Sequence, residues 1–179
     1  MGAGPKTGAT HLAVWTANYL TGAARRRTAV IEWNSHGDFQ RMERACMGRK
    51  TENAYFTALE ADYYKRGNAR VLAECVAGPY DDVVIDFGEW SETGEAAWLC
   101  CQVRLLTVSL SEWQFEQGFG RMEQGGGPGK GWKCLAAFGS EEARREAERR
   151  FQIPVLRIPF SADAFQIDRR AMEWFGRFL

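Results

Sequence analysis

Gly2-Ala-Gly-Pro-Lys-Thr-Gly-Ala-Thr-His11 opens the chain, and its reading decides the fold: glycines and hydroxyl residues run straight into a helix-forming stretch. Such a loop lets backbone N–H groups curl around phosphate oxygens, and the following helix offers its N-terminal amides and dipole to the same anion. A complete version also needs a lysine for the β- and γ-phosphates and a Ser or Thr hydroxyl for Mg²⁺. Here Gly8-Ala9-Thr10 occupies the place of Gly-Lys-Thr. The glycine and the hydroxyl are present, but Ala9 stands where the cation belongs. Lys6, near the tip of the loop, is the nearby replacement. The strict G-x-x-x-x-G-K-[ST] pattern is not met.

Outward from the loop, residues 10–20 carry Ala13, Val14, Ala17 and Leu20 at helical spacing, with Gly22 closing the helix. Strands are expected at 28–33, 82–88, 103–110, 133–138 and 155–158. Helices are expected at 38–46, 70–77, 93–102, 112–124, 140–151 and 164–179. Residues 54–64 are aromatic-rich and read equally as extended or helical. The continuous apolar run Asp82-Val-Val-Ile-Asp-Phe-Gly88 suits a central parallel strand buried on both faces. Alternation of strand and helix implies a mostly parallel sheet covered by helices. A phosphate loop ordinarily follows a buried strand, and Met1 stands immediately before this one. The expectation is a native chain that starts upstream, the alternative being a sheet that lacks its first strand.

With 179 residues the chain suits one domain with a full core. Lysine plus arginine equals aspartate plus glutamate at 23 each, so no global field selects nucleic acid or membrane. The five cysteines, Cys46, Cys75, Cys100, Cys101 and Cys134, contain no CxxC pair and are expected to be reduced and mostly buried. With His11 and His36 as the only histidines, a structural zinc site is not expected. No apolar run of about 18 residues is present to span a membrane.

Three segments together resemble the ParA/MinD-like ATPases, the deviant Walker-A group of plasmid- and septum-positioning proteins and pilus-associated TadZ/CpaE proteins. Gly4-Pro-Lys-Thr-Gly-Ala-Thr10 is similar to the family's K-G-G-x-G-K-T loop. Val30-Ile-Glu-Trp-Asn34 is similar to its I-D-x-D strand end, and Tyr80-Asp-Asp-Val-Val-Ile-Asp86 to its Y-D-x-x-I-I-D strand. Ile153-Pro-Val-Leu-Arg-Ile-Pro159 fits the last strand, so the resemblance spans nearly the whole chain. Departures are equally specific. The signature lysine falls on Gly4, the glycine pair on Pro5 and Lys6, and the phosphate lysine on Ala9. Pro5 has no N–H to offer, and the two aspartates become Glu32 and Asn34, of which Asn34 cannot act as a base.

The resemblance implies a three-layer α/β sandwich of the P-loop NTPase kind over residues 1–179, with ATP and Mg²⁺ as cofactors. Phosphate would lie on Gly4, Lys6, Thr7, Gly8, Ala9, Thr10 and His11. Magnesium would sit between Thr10 and Asp86, and Glu32 and Asp86 would be the catalytic carboxylates. A degenerate member near the TadZ/CpaE type is implied: a cytoplasmic, bacterial switch with weak or absent hydrolysis, forming a nucleotide-dependent homodimer and recruiting a protein partner. The alternative is a pseudo-ATPase scaffold that no longer binds nucleotide. From the residues alone, Thr10 reads equally as a helix N-cap, and Glu32 as an ordinary exposed or capping acid.

Three further segments have two readings each. Gly125-Gly-Gly-Pro-Gly-Lys-Gly131 imitates a second phosphate loop, yet Gln124 and Gly131 fail at its ends, so a surface connection is expected. Arg25-Arg26-Arg27 reads as a solvated turn before a DNA contact. Ala171, Met172, Phe175, Phe178 and Leu179 form an apolar stripe beside Arg169, Arg170 and Arg177. The stripe fits a last helix packed on the sheet, and also peripheral membrane contact through an amphipathic helix. Trp113 and Trp174 are expected to pack.

Overall fold

A computed structural model describes residues 1–90, 95–124, 131–177 and 179, with no account of the side chains of 95, 112, 117 and 121–124. Contacts divide the chain into two compact units, Met1–Ala9 with Glu89–Phe160, and Thr10–Gly88 with Ser161–Leu179.

The second unit is built on β1 (Thr28–Glu32), in which every residue is buried. It runs parallel to β3 (Ala61–Tyr64) on one side and to β4 (Asp82–Asp86) on the other, and β2 (Tyr55–Ala58) adds antiparallel to β3, giving the order β2-β3-β1-β4. Side chains alternate across a strand. Val30 accordingly packs with Val14 and Ala17 of α1 (Ala9–Asn18) and Phe39 of α2 (Asp38–Met47), while Ala29 and Ile31 pack with Cys75, Val71 and Leu72 of α3 (Ala69–Ala77). Helices thus cover both faces of β1. This corrects the sequence expectation for residues 82–88: in β4 only Asp86 is buried and the other residues are half-buried, because β1, flanked by strands on both sides, takes the central position.

The ambiguous stretch 54–64 is a hairpin, β2 to β3, turned by Leu59 and Glu60 at φ 45° and 65°. Both turn residues have the positive φ of a two-residue hairpin turn without the Asn or Gly that ordinarily announces one. At the C-terminus the expected helix at 164–179 is shorter, α7 (Arg169–Phe175), capped by Asp168, whose carboxylate accepts from the Ala171 amide at 2.7 Å. The preceding residues are held out of the helix by α1: Trp15 Nε1 donates to the Gln166 carbonyl at 2.8 Å and Asn18 Nδ2 to the Ala164 carbonyl at 2.7 Å. Ala171, Trp174 and Phe175 are buried. Phe175 meets Trp15 edge-on at 5.0 Å and stacks on Tyr19 at 4.8 Å, within the π-helical turn Tyr19–Ala23 that extends α1. Of the apolar stripe, Ala171 and Phe175 are spent on packing while Met172 and Leu179 are exposed; Phe178 lies outside the described residues.

In the first unit β5 (Arg104–Val108), β6 (Trp132–Ala136) and β7 (Val155–Arg157) form a parallel sheet in that order. Leu106, Val108, Cys134, Ala136 and Val155 pack with Phe119 of α5 (Glu112–Gln124) and Ala147 of α6 (Glu141–Phe151). Ser140 caps α6 by accepting from the Ala143 amide at 3.0 Å. α4 (Glu95–Cys100) precedes β5. The start of the loop pairs: Gly2 bridges in parallel to both Glu89 and Thr107. The Ala3 amide donates to the Thr107 carbonyl at 2.8 Å, and the Trp90 amide to the Gly2 carbonyl at 2.8 Å.

Residues 93–94 of the expected helix at 93–102, and residues 125–130 of the imitation loop, lie outside the described residues. All five cysteines are free. Only Cys75 and Cys134 are buried, and burial pushes the Cys134 thiol up to about 12. Cys46 and Cys100 are exposed, against expectation, since both lie on outward helix positions. Trp113 is 80% exposed and packs on nothing that would bury it.

Candidate functional site

The loop folds as a tight turn before α1, with Lys6 at φ 57° and Gly8 at φ 90°. Glycine adopts this left-handed region freely, whereas Lys6 does so at a cost of roughly 1 kcal/mol. Lys6 is exposed, and no ion pair among the described residues involves it. Thr7 is buried: its hydroxyl donates to the Gly4 carbonyl at 3.1 Å and lies 2.9 Å from Thr107 Oγ1. Internal bonds therefore occupy the Thr7 side chain. Because α1 begins at Ala9, Thr10 is the second helical residue and not the residue that precedes the helix. Its hydroxyl has no hydrogen-bond partner among the described residues, so the N-cap reading of Thr10 fails. His11 is half-buried with Nε2 lacking a partner; burial lowers its pKa, and Asp163 only partly opposes this. The imidazole is thus neutral at pH 7 and adds no cation to the loop.

The two candidate carboxylates are brought together by register. Glu32 ends β1 opposite Asp86 at the end of β4, and the two residues are 0% and 1% exposed. Glu32 Oε1 accepts from the Asp38 amide at 2.5 Å and the Phe39 amide at 3.4 Å, capping α2 across the turn at Gly37. Asp86 Oδ1 accepts from the Gly88 amide at 2.9 Å. Each carboxylate keeps one buried oxygen, Glu32 Oε2 and Asp86 Oδ2, with no hydrogen-bond partner. Asn34 fastens the strand ends: its Nδ2 donates to the Asp86 carbonyl at 3.1 Å and its Oδ1 accepts from the His36 amide at 2.9 Å. Gly88 must be glycine here, since a Cβ would stand 2.9 Å from Asn34 Cβ on a backbone at φ 63°.

Burial raises the Glu32 pKa, the Asp38 and Phe39 amides lower it, and the negative charges of Asp38 and Asp86 raise it further, leaving it above the ordinary 4.5. A carboxyl that holds its proton more tightly in the folded chain adds stability fully present below 4.5 and lost as pH rises through the folded value. Glu32→Gln should therefore raise Tm at pH 7 by a few degrees, the shift about 1 kcal/mol makes in a chain of this size. The difference from the parent should vanish below pH 4.5, and thermal melts across pH without added metal check it.

The orphaned oxygens also test the fit to magnesium. Mg²⁺ takes hard oxygen ligands and is held by one or two carboxylates plus waters and phosphate, seldom by an all-protein cage. Two unpartnered carboxylate oxygens suit that donor set, and no cluster of three or more His, Cys, Asp or Glu side chains suited to a metal occurs among the described residues. Phosphate is served less well: Pro5 lacks an N–H, Ala9 lacks a cation and Lys6 points to solvent.

Within the arginine run, Arg26 pairs with Asp82 and Arg27 with Asp81 at 3.2 Å. Sequence reasoning missed the fastening role of Asn34. It also missed the buried pair of Lys65 Nζ and Glu43 Oε2 at 2.9 Å, whose partners are too far apart in sequence for any local pattern.

No protein-family model matches the chain, and no curated protein is similar to it in sequence. Solved structures are similar in fold. A ParA family ATPase from Chlorobium tepidum TLS superposes with a TM-score of 0.64 at 13% identity over 90% of this chain and 82% of that one. A plasmid partition protein from Borrelia burgdorferi B31, bound to AMPPNP, gives 0.63 at 11% identity over 98% and 93%. MinD from Aquifex aeolicus gives 0.54 at 16% identity over 87% and 78%. The chain therefore has the α/β P-loop fold of ParA/MinD-type ATPases.

Proposed function

We propose that this chain is a ParA/MinD-like nucleotide-binding switch with weak or absent hydrolysis, organised as one NTPase-like domain over residues 1–179. Nucleotide phosphate lies along residues 4–11, and Mg²⁺ is held by Asp86 and Thr10. The observation that carries this reading is the pair of buried carboxylates at the ends of β1 and β4, each with an unpartnered oxygen. Two ionisable groups left half-satisfied in a fold interior are costly, and a divalent cation removes the cost. Bound there, Mg²⁺ would offset phosphate charge. Glu32, tied by one oxygen to the start of α2, keeps the other to orient water. The missing lysine weakens phosphate capture and, more strongly, any transfer of the phosphoryl group. The altered loop supports a degenerate member near the TadZ/CpaE type. A complex of MinC with MinD among the fold neighbours supports a protein partner; a cytoplasmic setting and a nucleotide-dependent homodimer belong to the same proposal.

A second reading has its own support. The Thr7 hydroxyl is satisfied internally and His11 adds no cation to the loop, which supports a pseudo-ATPase scaffold. Calorimetric titration of ATP with Mg²⁺ separates the two. The switch predicts binding that weakens about tenfold or more in Thr10→Ala and Asp86→Ala, whereas no heat at millimolar ATP leaves the scaffold.

A further inference from the structure

We infer that the outer edge of β2 is a docking strand for an extended, acidic peptide segment of a protein partner. The hairpin register fixes which backbone groups are free. Ala58 opposes Ala61 across a two-residue turn and the Lys65 amide donates to the Ala54 carbonyl at 3.0 Å, so Ala54, Phe56 and Ala58 bond inward to β3. Tyr55 and Thr57 turn their N–H and C=O groups outward, and β2 has no neighbour on that side among the described residues. Open edges of this kind accept an added strand, main-chain bonds giving affinity and flanking pockets giving specificity.

Two observations identify the occupant. A cavity of about 590 Å³ borders Tyr55, Phe56 and Thr57 in succession. Phe56 is buried on one face of the strand while Tyr55 and Thr57 are on the other, so a cavity touching all three follows the strand's edge. Exposed Met47 and Tyr55 flank it and offer apolar contact to alternate side chains of an extended segment. Its charge is cationic. Of the charged residues that line it, Arg49 is exposed and in no ion pair among the described residues, while Arg44 and Lys50, likewise exposed and in no ion pair, neighbour it in sequence without lining the cavity, and Asp62 on β3 is engaged by the Thr57 hydroxyl. Glu43, which also lines the cavity, is already paired with Lys65. An acidic strand complements this rim, whereas a second copy of the chain pairing β2 to β2 would bring the same cations together. The inference deepens the partner-recruiting part of the function proposed above and requires no nucleotide.

Fluorescence anisotropy of the full chain with a fluorescein-labelled Glu-Val-Glu-Val-Glu-Val-Glu peptide, in the absence of ATP, tests it. The acidic peptide should bind about tenfold or more tightly than its Lys-Val counterpart, and Arg49→Glu should weaken it by about tenfold. A fully N-methylated version, which cannot donate to a strand edge, should lose binding altogether. Amide hydrogen exchange should slow at Tyr55 and Thr57 on binding. No anisotropy change at millimolar protein, equal affinity for both charges, or indifference to N-methylation overturns the inference. So does a concentration-dependent dimer in sedimentation whose formation protects the same two amides, because a second copy then occupies the edge. These outcomes leave the ATP titration untouched, and a failed ATP titration leaves the peptide result standing.

Discussion

Lys65→Met should cost about 3–5 kcal/mol of folding stability, the penalty for stranding one member of a buried ion pair. The Lys65 and Glu43 side chains are 5% and 1% exposed, so water cannot replace the lost partner. Lys65 Nζ also donates to the Thr51 carbonyl at 2.9 Å, and Thr51 returns its hydroxyl to Glu43 Oε1 at 2.6 Å and its amide to Oε2 at 3.2 Å. Through these bonds the pair ties α2, the residue that follows β3 and the segment before β2 together. Burial pushes the Glu43 carboxyl up, but the Thr51 hydroxyl, Lys65 and the Thr51 amide together bring it below its ordinary value. A depressed carboxyl gives stability that is present above the unfolded value and lost as pH falls through the folded one. The parent should therefore lose this contribution only in acid, below the ordinary 4.5.

The double variant Glu43→Met with Lys65→Met should recover part of the loss, since it strands no charge but still leaves the Thr51 groups unpaired. Urea unfolding with unchanged m-values measures all three proteins. A cost below about 1 kcal/mol for Lys65→Met, the range of a solvated surface pair, would refute the buried tie.

The ion pair also shows where sequence reading stops. The loop, the buried carboxylates and the bounds of α5 are legible because glycine chemistry, strand-end acids and helical periodicity are local signals. The β2 hairpin is not, because Leu59 and Glu60 take positive φ without a glycine or asparagine to mark the turn. The start of α7 is hidden for a different reason: carbonyls at 164 and 166 are claimed by Asn18 and Trp15, an economy visible only once the helix and the segment meet. Asp86 was legible as a strand-end acid and Glu32 as a weaker one. That each keeps an unsatisfied oxygen, and that Glu32 spends the other on α2, depends on the register that sets Glu32 opposite Asp86, a pairing between distant strands that no local pattern encodes.

Ala9→Lys should tighten Mg·ATP binding by about one to two decades. A charge-assisted contact to phosphate contributes roughly 1.5–3 kcal/mol net. Ala9 is the first residue of α1, so a lysine there sits at the positive end of the helix dipole. Without nucleotide the new charge should cost about 0.3–1 kcal/mol of stability, and with nucleotide it should be repaid by the phosphate it meets. The signature is therefore a variant that melts slightly lower than the parent alone and higher than the parent with saturating ATP. Turnover is the more demanding readout, because a cation that follows charge onto the transferring phosphoryl group acts on the barrier as well as on binding. Lys6→Ala run in parallel decides whether the exposed Lys6 already supplies this charge. If it does, Lys6→Ala abolishes the parent's binding and Ala9→Lys rescues it. If neither change alters binding from zero, the loop has lost more than its cation and the chain is a scaffold.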